Sequence, residues 1–115
     1  MREGGVRVYV EDILEAIERI DEYLDGLTFS QFVKNRQTVD AVIRNFAVIG
    51  EAAKHVPASV KREHPEIRWK KMAGMRDKVI HEYFGVDVKI LWETSKIDLP
   101  ASKPLLEKLL RSIEK

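Results

Sequence analysis

The sequence predicts an all-α protein, an up-and-down bundle of four or five main helices. Three observations carry this. Apolar residues recur at three- and four-residue steps through most of the chain. Pro57, Pro65 and Gly85 fall between such stretches, where helices stop. No convincing strand pair, internal repeat or low-complexity tract interrupts the pattern.

The elements follow in order. Val10, Ile13, Leu14, Ile17, Ile20, Leu24 and Leu27 form one apolar stripe, with acids on the opposite face, and Gly26 marks where this first helix frays. Thr28 to Gln31 reads as a capping box, followed by Phe29 and Phe32. It opens a helical region from about Phe29 to His55, in which the polar KNRQT predicts a bend or a break. Val39, Val42, Ile43, Phe46, Ile49 and Ala53 continue the helical spacing beyond it. Pro57 ends this region and starts a short helix through about Glu63, which Pro65 ends in turn. Trp69, Met72, Ala73, Met75, Val79, Ile80 and Phe84 describe another helix, stopped near Gly85. Val88, Ile90, Leu91, Trp92 and Ile97 suggest a following helix capped at Asp87. A last helix begins near Leu99 or Ser102 and carries Leu105, Leu106, Leu109, Leu110 and Ile113.

A chain of 115 residues fits one domain, spanning 1–115. Its composition, 44% hydrophobic and 34% charged, is that of a folded domain and not of a disordered chain. A core this small leaves pairing with a second copy a useful source of stability. With no cysteine, disulfides, thiolate nucleophiles and Cys-ligated metals are excluded. No apolar run approaches the roughly 20 residues of a membrane span. The start, MREGGVRVYV, has no apolar leader core, so a cytoplasmic protein is expected.

Net charge is only +1, but it is unevenly placed. Glu11 to Asp25 holds seven acids and one base, whereas Lys54 to Lys78 holds eight Lys or Arg and three acids. That asymmetry permits a polyanionic partner on the basic half, and Lys70, Lys71 and Lys78 are candidates for guiding it. Two solvated helix faces of opposite sign would give the same count.

The chemistry-bearing stretch is MRDKVIHEYFGVD, Met75 to Asp87, with Arg76, His81 and Tyr83 close together. Arg76 and His81 are five residues apart, about 140° around a helix. On one straight helix they do not point at a common atom. A shared site needs the helix to bend or end near His81, or a second copy of the chain to supply the complementary residue. The chemistry that suits such a cleft is metal-free RNA cleavage. His exchanges a proton with the ribose 2′-hydroxyl or the leaving 5′-oxygen near neutral pH. Arg holds the phosphate and stabilises its developing charge. DNA lacks the 2′-hydroxyl and does not react this way. Asp77 can hold Arg76 or His81 in place. The plainer reading is polar residues on a helix surface, with Tyr83 as a core or edge aromatic. His55 and His64, nine apart across a proline turn, make no tight ligand cluster, so no metal is expected. Gly4-Gly5 and Gly85 fit no nucleotide fingerprint, and no cofactor is expected.

RDKVIHEY matches the R-x4-H-x-Y signature and resembles the HepT-like toxins, the DUF86 branch of the HEPN superfamily. The position after the Arg is usually polar in this signature, and Asp77 fits. The resemblance runs from about Val10 to Leu110. It includes DAVIRNFAVIGEAAKHVP with Arg44-Asn45 and Ile49-Gly50-Glu51-Ala52, then Trp69, the Ala73-Gly74-Met75-Arg76 approach, HEYFGVD and Leu91-Trp92. It implies a homodimeric HEPN bundle with the active cleft at the dimer interface, formed by Arg76 and His81 of both chains. It implies a metal-independent RNase, the toxin of a type VII toxin–antitoxin pair. The antitoxin would be an MNT-type nucleotidyltransferase that transfers AMP from ATP onto Tyr83. Bulk and negative charge two residues from His81 would then block and repel substrate phosphate. Arg44, Asn45 and Glu51 are supporting candidates, lining the cleft or tying helices together. The competing reading is a non-catalytic HEPN dimer that binds nucleotide or RNA, or scaffolds a partner. A third is a plain helical interaction protein.

Overall fold

The apolar stripe of the first helix becomes the wall of the core. In α1 (Gly4–Leu24), Val10, Ile13, Leu14, Ile17, Ile20 and Leu24 are all buried, while Glu11, Asp12, Glu15, Glu18, Asp21 and Glu22 face out. The computed structural model describes the backbone of residues 4–81 and 87–113, and their side chains other than those of Arg76 and residues 78–81. Tyr83 and Gly85 therefore lie outside the described residues. Among those described there are seven α-helices and no strand.

Each helix boundary has a local cause. Gly26 takes a positive φ of 76° just past the end of α1, a left-handed conformation that glycine adopts without strain. Thr28 Oγ1 accepts from the Gln31 N–H at 3.1 Å, and Gln31 Oε1 accepts from the Thr28 N–H at 2.9 Å, closing the capping box of α2 (Phe29–Lys34). The break within KNRQT falls at Asn35, whose side chain accepts from the Thr38 N–H at 3.0 Å and so starts α3 (Arg36–His55). Pro57 precedes α4 (Ala58–Glu63). A tight turn then leads into α5 (Trp69–His81). Asp87 Oδ1 accepts from the N–H groups of Lys89 at 2.9 Å and Ile90 at 3.3 Å, capping α6 (Val88–Glu93).

The C-terminal third departs from the two separate helices that the spacing predicts. α6 passes without a gap through a π-helical turn, Thr94–Asp98, into α7 (Leu99–Ile113). The Leu99 N–H reaches back five residues to the Thr94 carbonyl. Prolines supply the reason. Pro100 and Pro104 have no N–H to give to the carbonyls four residues earlier, so regular α-helical pairing cannot run unbroken through this stretch. The Ser95 and Ser102 hydroxyls donate to the carbonyls of Leu91 and Asp98, at 2.8 and 3.0 Å. The extra residue in the turn also rotates the stripe. Ile97, expected among the apolar contacts, is 65% exposed, whereas Leu99, Leu106 and Leu109 are buried.

α3 is the central helix. It packs against α1 on one side and α5 on another, and α7 closes over α1. α2 and α6 pack together and against α3, where the Trp92 ring meets Phe32 at 5.3 Å and Phe29 edge-on at 5.9 Å. Lys96 Nζ lies 5.2 Å from the Trp92 ring centre. Two isoleucines separate core from surface. Ile17→Ala, at a fully buried position, is expected to cost about 2–5 kcal/mol in denaturant unfolding. Ile97→Ala should stay within about 0.5 kcal/mol of wild type, and a large loss there would contradict the register of the π turn.

Candidate active site

The helix that carries the motif is held by its apolar side. Trp69, Met72 and Met75 are buried where α5 meets the core. The Trp69 indole N–H donates to the His64 carbonyl at 3.1 Å, which fixes the start of α5 to the turn before it. Two ion pairs add lateral ties. Lys54 Nζ of α3 lies 2.8 Å from Asp77 Oδ1, and Lys71 Nζ lies 2.8 Å from Asp98 Oδ2 at the π turn. Both pairs are partly solvated, so each is worth about 0.2–1 kcal/mol, below the burial of a single large apolar side chain.

Arg76 lies in α5 one turn beyond Met72, and His81 is the last described residue of the helix. α5 is a single unbroken α-helix across both positions. They are therefore about 140° apart in register and about 7.5 Å apart along the axis. No non-helical residue separates the two positions, and the described span of α5 ends at His81.

Of the supporting candidates, Asp77 is tied to Lys54, a residue that sequence reasoning missed. The two are 23 positions apart, and nothing local in the sequence announces the pair. Asn45 turns inward. It is buried, and its amide donates to the Ala41 carbonyl one turn earlier at 2.9 Å. Arg44 and Glu51 share an exposed face of α3 and line an open groove with Tyr9 and Asp12 of α1. His55 closes the end of this groove, its ring 5.3 Å from that of Tyr9 and its Nδ1 2.8 Å from the Glu51 carbonyl. Thus Arg44 and Glu51 come together and Asn45 is set apart from them. The described lining of that groove comes from α1 and α3, not from α5. Tyr83 lies outside the described residues. Among those described, no group of three His, Asp or Glu residues is placed to hold a metal ion.

The chain matches the family model for HepT-like ribonucleases over residues 13–109. The chain belongs to the HepT-like ribonuclease family. Three relatives match it over almost their whole length. A protein of Thermococcus cleftensis, named a probable ribonuclease HepT, is 54% identical over 101 residues, covering 88% of this chain and 92% of the relative. A candidate RNase of Methanocaldococcus jannaschii is 39% identical over 114 residues, covering 99% and 94%. A candidate RNase of Caldanaerobacter subterraneus is 40% identical over 105 residues, covering 91% and 94%. No solved structure gives a significant match.

The positions of Asn45 and Arg44 predict opposite results. Asn45→Ala should lower unfolding free energy by about 1 kcal/mol, since it removes a buried hydrogen-bonded amide. Arg44→Ala, at an exposed position with no acidic partner among the described residues, should change it by less than about 0.5 kcal/mol. Urea titration of the two variants checks this.

Proposed function

We propose that this chain is a metal-independent RNA endonuclease that works as a homodimer, with Arg76 and His81 as its catalytic residues. The observation that carries the reading is the unbroken α5. In a member of the HepT-like ribonuclease family it bears both motif residues about 140° apart, which suits a cleft shared by two chains and not one confined to a single helix. The neighbourhood of α5 supports it further. Among the described residues its extensive packing is with α3 alone, which leaves room for a second copy.

The chemistry needs only these groups. A His81 imidazole accepts the 2′-hydroxyl proton, the 2′-oxygen attacks phosphorus, and the bond to the 5′-oxygen breaks. The leaving oxygen takes a proton, and a 2′,3′-cyclic phosphate remains. Arg76 donates to the phosphate oxygens as charge accumulates on them. Asp77, tied to Lys54, helps fix the rotation of α5.

The whole of residues 1–115 forms one HEPN domain in this reading. The protein is a cytoplasmic toxin of a type VII pair, and its antitoxin is an MNT-type nucleotidyltransferase. AMP placed on Tyr83 sets a bulky anion two residues from His81, where it competes with substrate phosphate.

Mixing two inactive variants tests the shared cleft. Arg76→Ala and His81→Ala should each abolish RNA cleavage while leaving the helical fold intact. Randomly re-paired, they should recover about a quarter of wild-type activity, because half the dimers are mixed and each mixed dimer keeps one of two sites. No recovery from a verified mixed dimer would mean that the pair acts within one chain. For the switch, incubation with the nucleotidyltransferase and ATP should add AMP-sized mass to Tyr83 as cleavage falls. A Tyr83→Phe protein should gain no such mass and keep its activity.

A further inference from the structure

We propose that Arg68, Lys70 and Lys71 form a track for the sugar–phosphate backbone of single-stranded RNA, leading along one face of α5 to His81. The proposal rests on the RNA-cleavage reading and names where its substrate is held outside the reacting residues.

The track starts at a built surface. Pro65, Ile67, Arg68, Trp69, Lys70 and Lys71 line an open cleft of about 520 Å³. Its turn is pinned by two backbone bonds, from the Ile67 N–H to the His64 carbonyl at 3.2 Å and from the Trp69 N–H to the Ile67 carbonyl at 2.9 Å. Trp69 is buried with its indole N–H already used, so it forms the floor and not a stacking platform for bases. Binding here is by charge, without reading sequence.

Arg68 and Lys70 are the cations available to the strand, and Lys71 stands beside them already paired. Lys54 and Lys71 have carboxylate partners in Asp77 and Asp98. Arg68 and Lys70 have no acidic partner among the described residues, and both are exposed. Two other acids share the segment. Glu66 faces His64 at 3.6 Å, and Glu63 is exposed on α4. Lys70 and Lys71 also occupy the first turn of α5, which contains no acid and where the helix dipole disfavours cations. Lys71 is placed there by its tie to Asp98, whereas Lys70 has no such partner among the described residues, and a polyanion gives it one.

Register carries the track onward. Lys70, Gly74, Asp77 and His81 follow at steps of four, three and four residues, one face of α5 over about 16.5 Å. Midway, Gly74 is exposed, and among the described residues outside its own stretch of helix nothing lies within 4 Å of where its Cβ would be. A strand can therefore lie close to the helix backbone there. Lys70 is the cation that opens this face, and Lys54 neutralises Asp77 further along it. The 2′-hydroxyl that the His81 chemistry requires makes that polyanion RNA.

The test is a titration of a labelled single-stranded RNA, over a series of salt concentrations, against full-length protein carrying His81→Ala so that the probe survives. Adding Arg68→Gln and Lys70→Gln should weaken binding and flatten the dependence of log affinity on log salt by about 1.4, about 0.7 for each phosphate no longer neutralised. An equal loss of charge elsewhere, Lys34→Gln with Lys108→Gln, should leave the slope unchanged. In the active protein the Arg68→Gln, Lys70→Gln pair should raise KM with kcat nearly unaltered. Wild-type slope and KM in that variant, in a protein that does cleave RNA, would overturn the track alone. Equal losses in both pairs would overturn it too. The predicted slopes in a protein without cleavage would keep the track and overturn the catalytic reading. No RNA binding by either protein would overturn both.

Discussion

Everything near the candidate site depends on the burial of Trp69, Met72 and Met75, because these three side chains set the rotation of α5 about its own axis. A helix has one register. Once its apolar side is committed to the core, the direction of every other position follows at about 100° per residue. Each buried side chain contributes about 1.5–3 kcal/mol, several times the worth of an exposed ion pair. The Lys54–Asp77 and Lys71–Asp98 pairs therefore trim the position of α5 and do not decide it. With that rotation fixed in one piece, Arg76 and His81 cannot be swung onto a common face by local adjustment. In the proposed reading, the cleft that uses both takes its second half from another chain.

The same hierarchy explains the rest of the bundle. α3 sits between α1 and α5 and gives its apolar residues to both sides. Its one buried amide, Asn45, is satisfied within its own helix by the Ala41 carbonyl. Its exposed face gathers Arg44, Glu51 and His55 against α1. The Trp92 contacts with Phe29 and Phe32 fasten the two short helices α2 and α6, neither of which is long enough to be stable alone.

How much of this the sequence discloses depends on how local the cause is. Thr28, Asn35, Gly26, Pro57 and Asp87 each act within four residues, and the helix boundaries they set are readable from neighbours alone. The α1 stripe is equally legible, since each of Val10 to Leu24 keeps its place at helical spacing. The π turn is not. Pro100 and Pro104 signal an interruption, but whether the chain breaks or shifts register depends on the core that must receive Leu99 and Leu106. Lys54 was hidden for a similar reason, because its partner belongs to another helix. Arg76, His81 and Tyr83 were visible as a motif, while the helical register separating the first two turns that motif into an argument about two chains.

Charge separation gives that arrangement a direction. The acids of α1 and the bases from Lys54 to Lys78 nearly cancel in the net charge of +1, yet they do not cancel in space. α3 stands between α1 and α5, and two helix spacings of about 8–10 Å put the outer helices roughly 16–20 Å apart. That exceeds the Debye length of about 8 Å at physiological salt. In the proposed reading, an RNA strand at α5 meets a segment in which bases outnumber acids eight to three, while one approaching α1 meets the six carboxylates from Glu11 to Glu22. A protein with almost no net charge can in this way orient a polyanion. In the proposed reading its affinity for RNA is then more sensitive to where a charge is removed than to how many are removed.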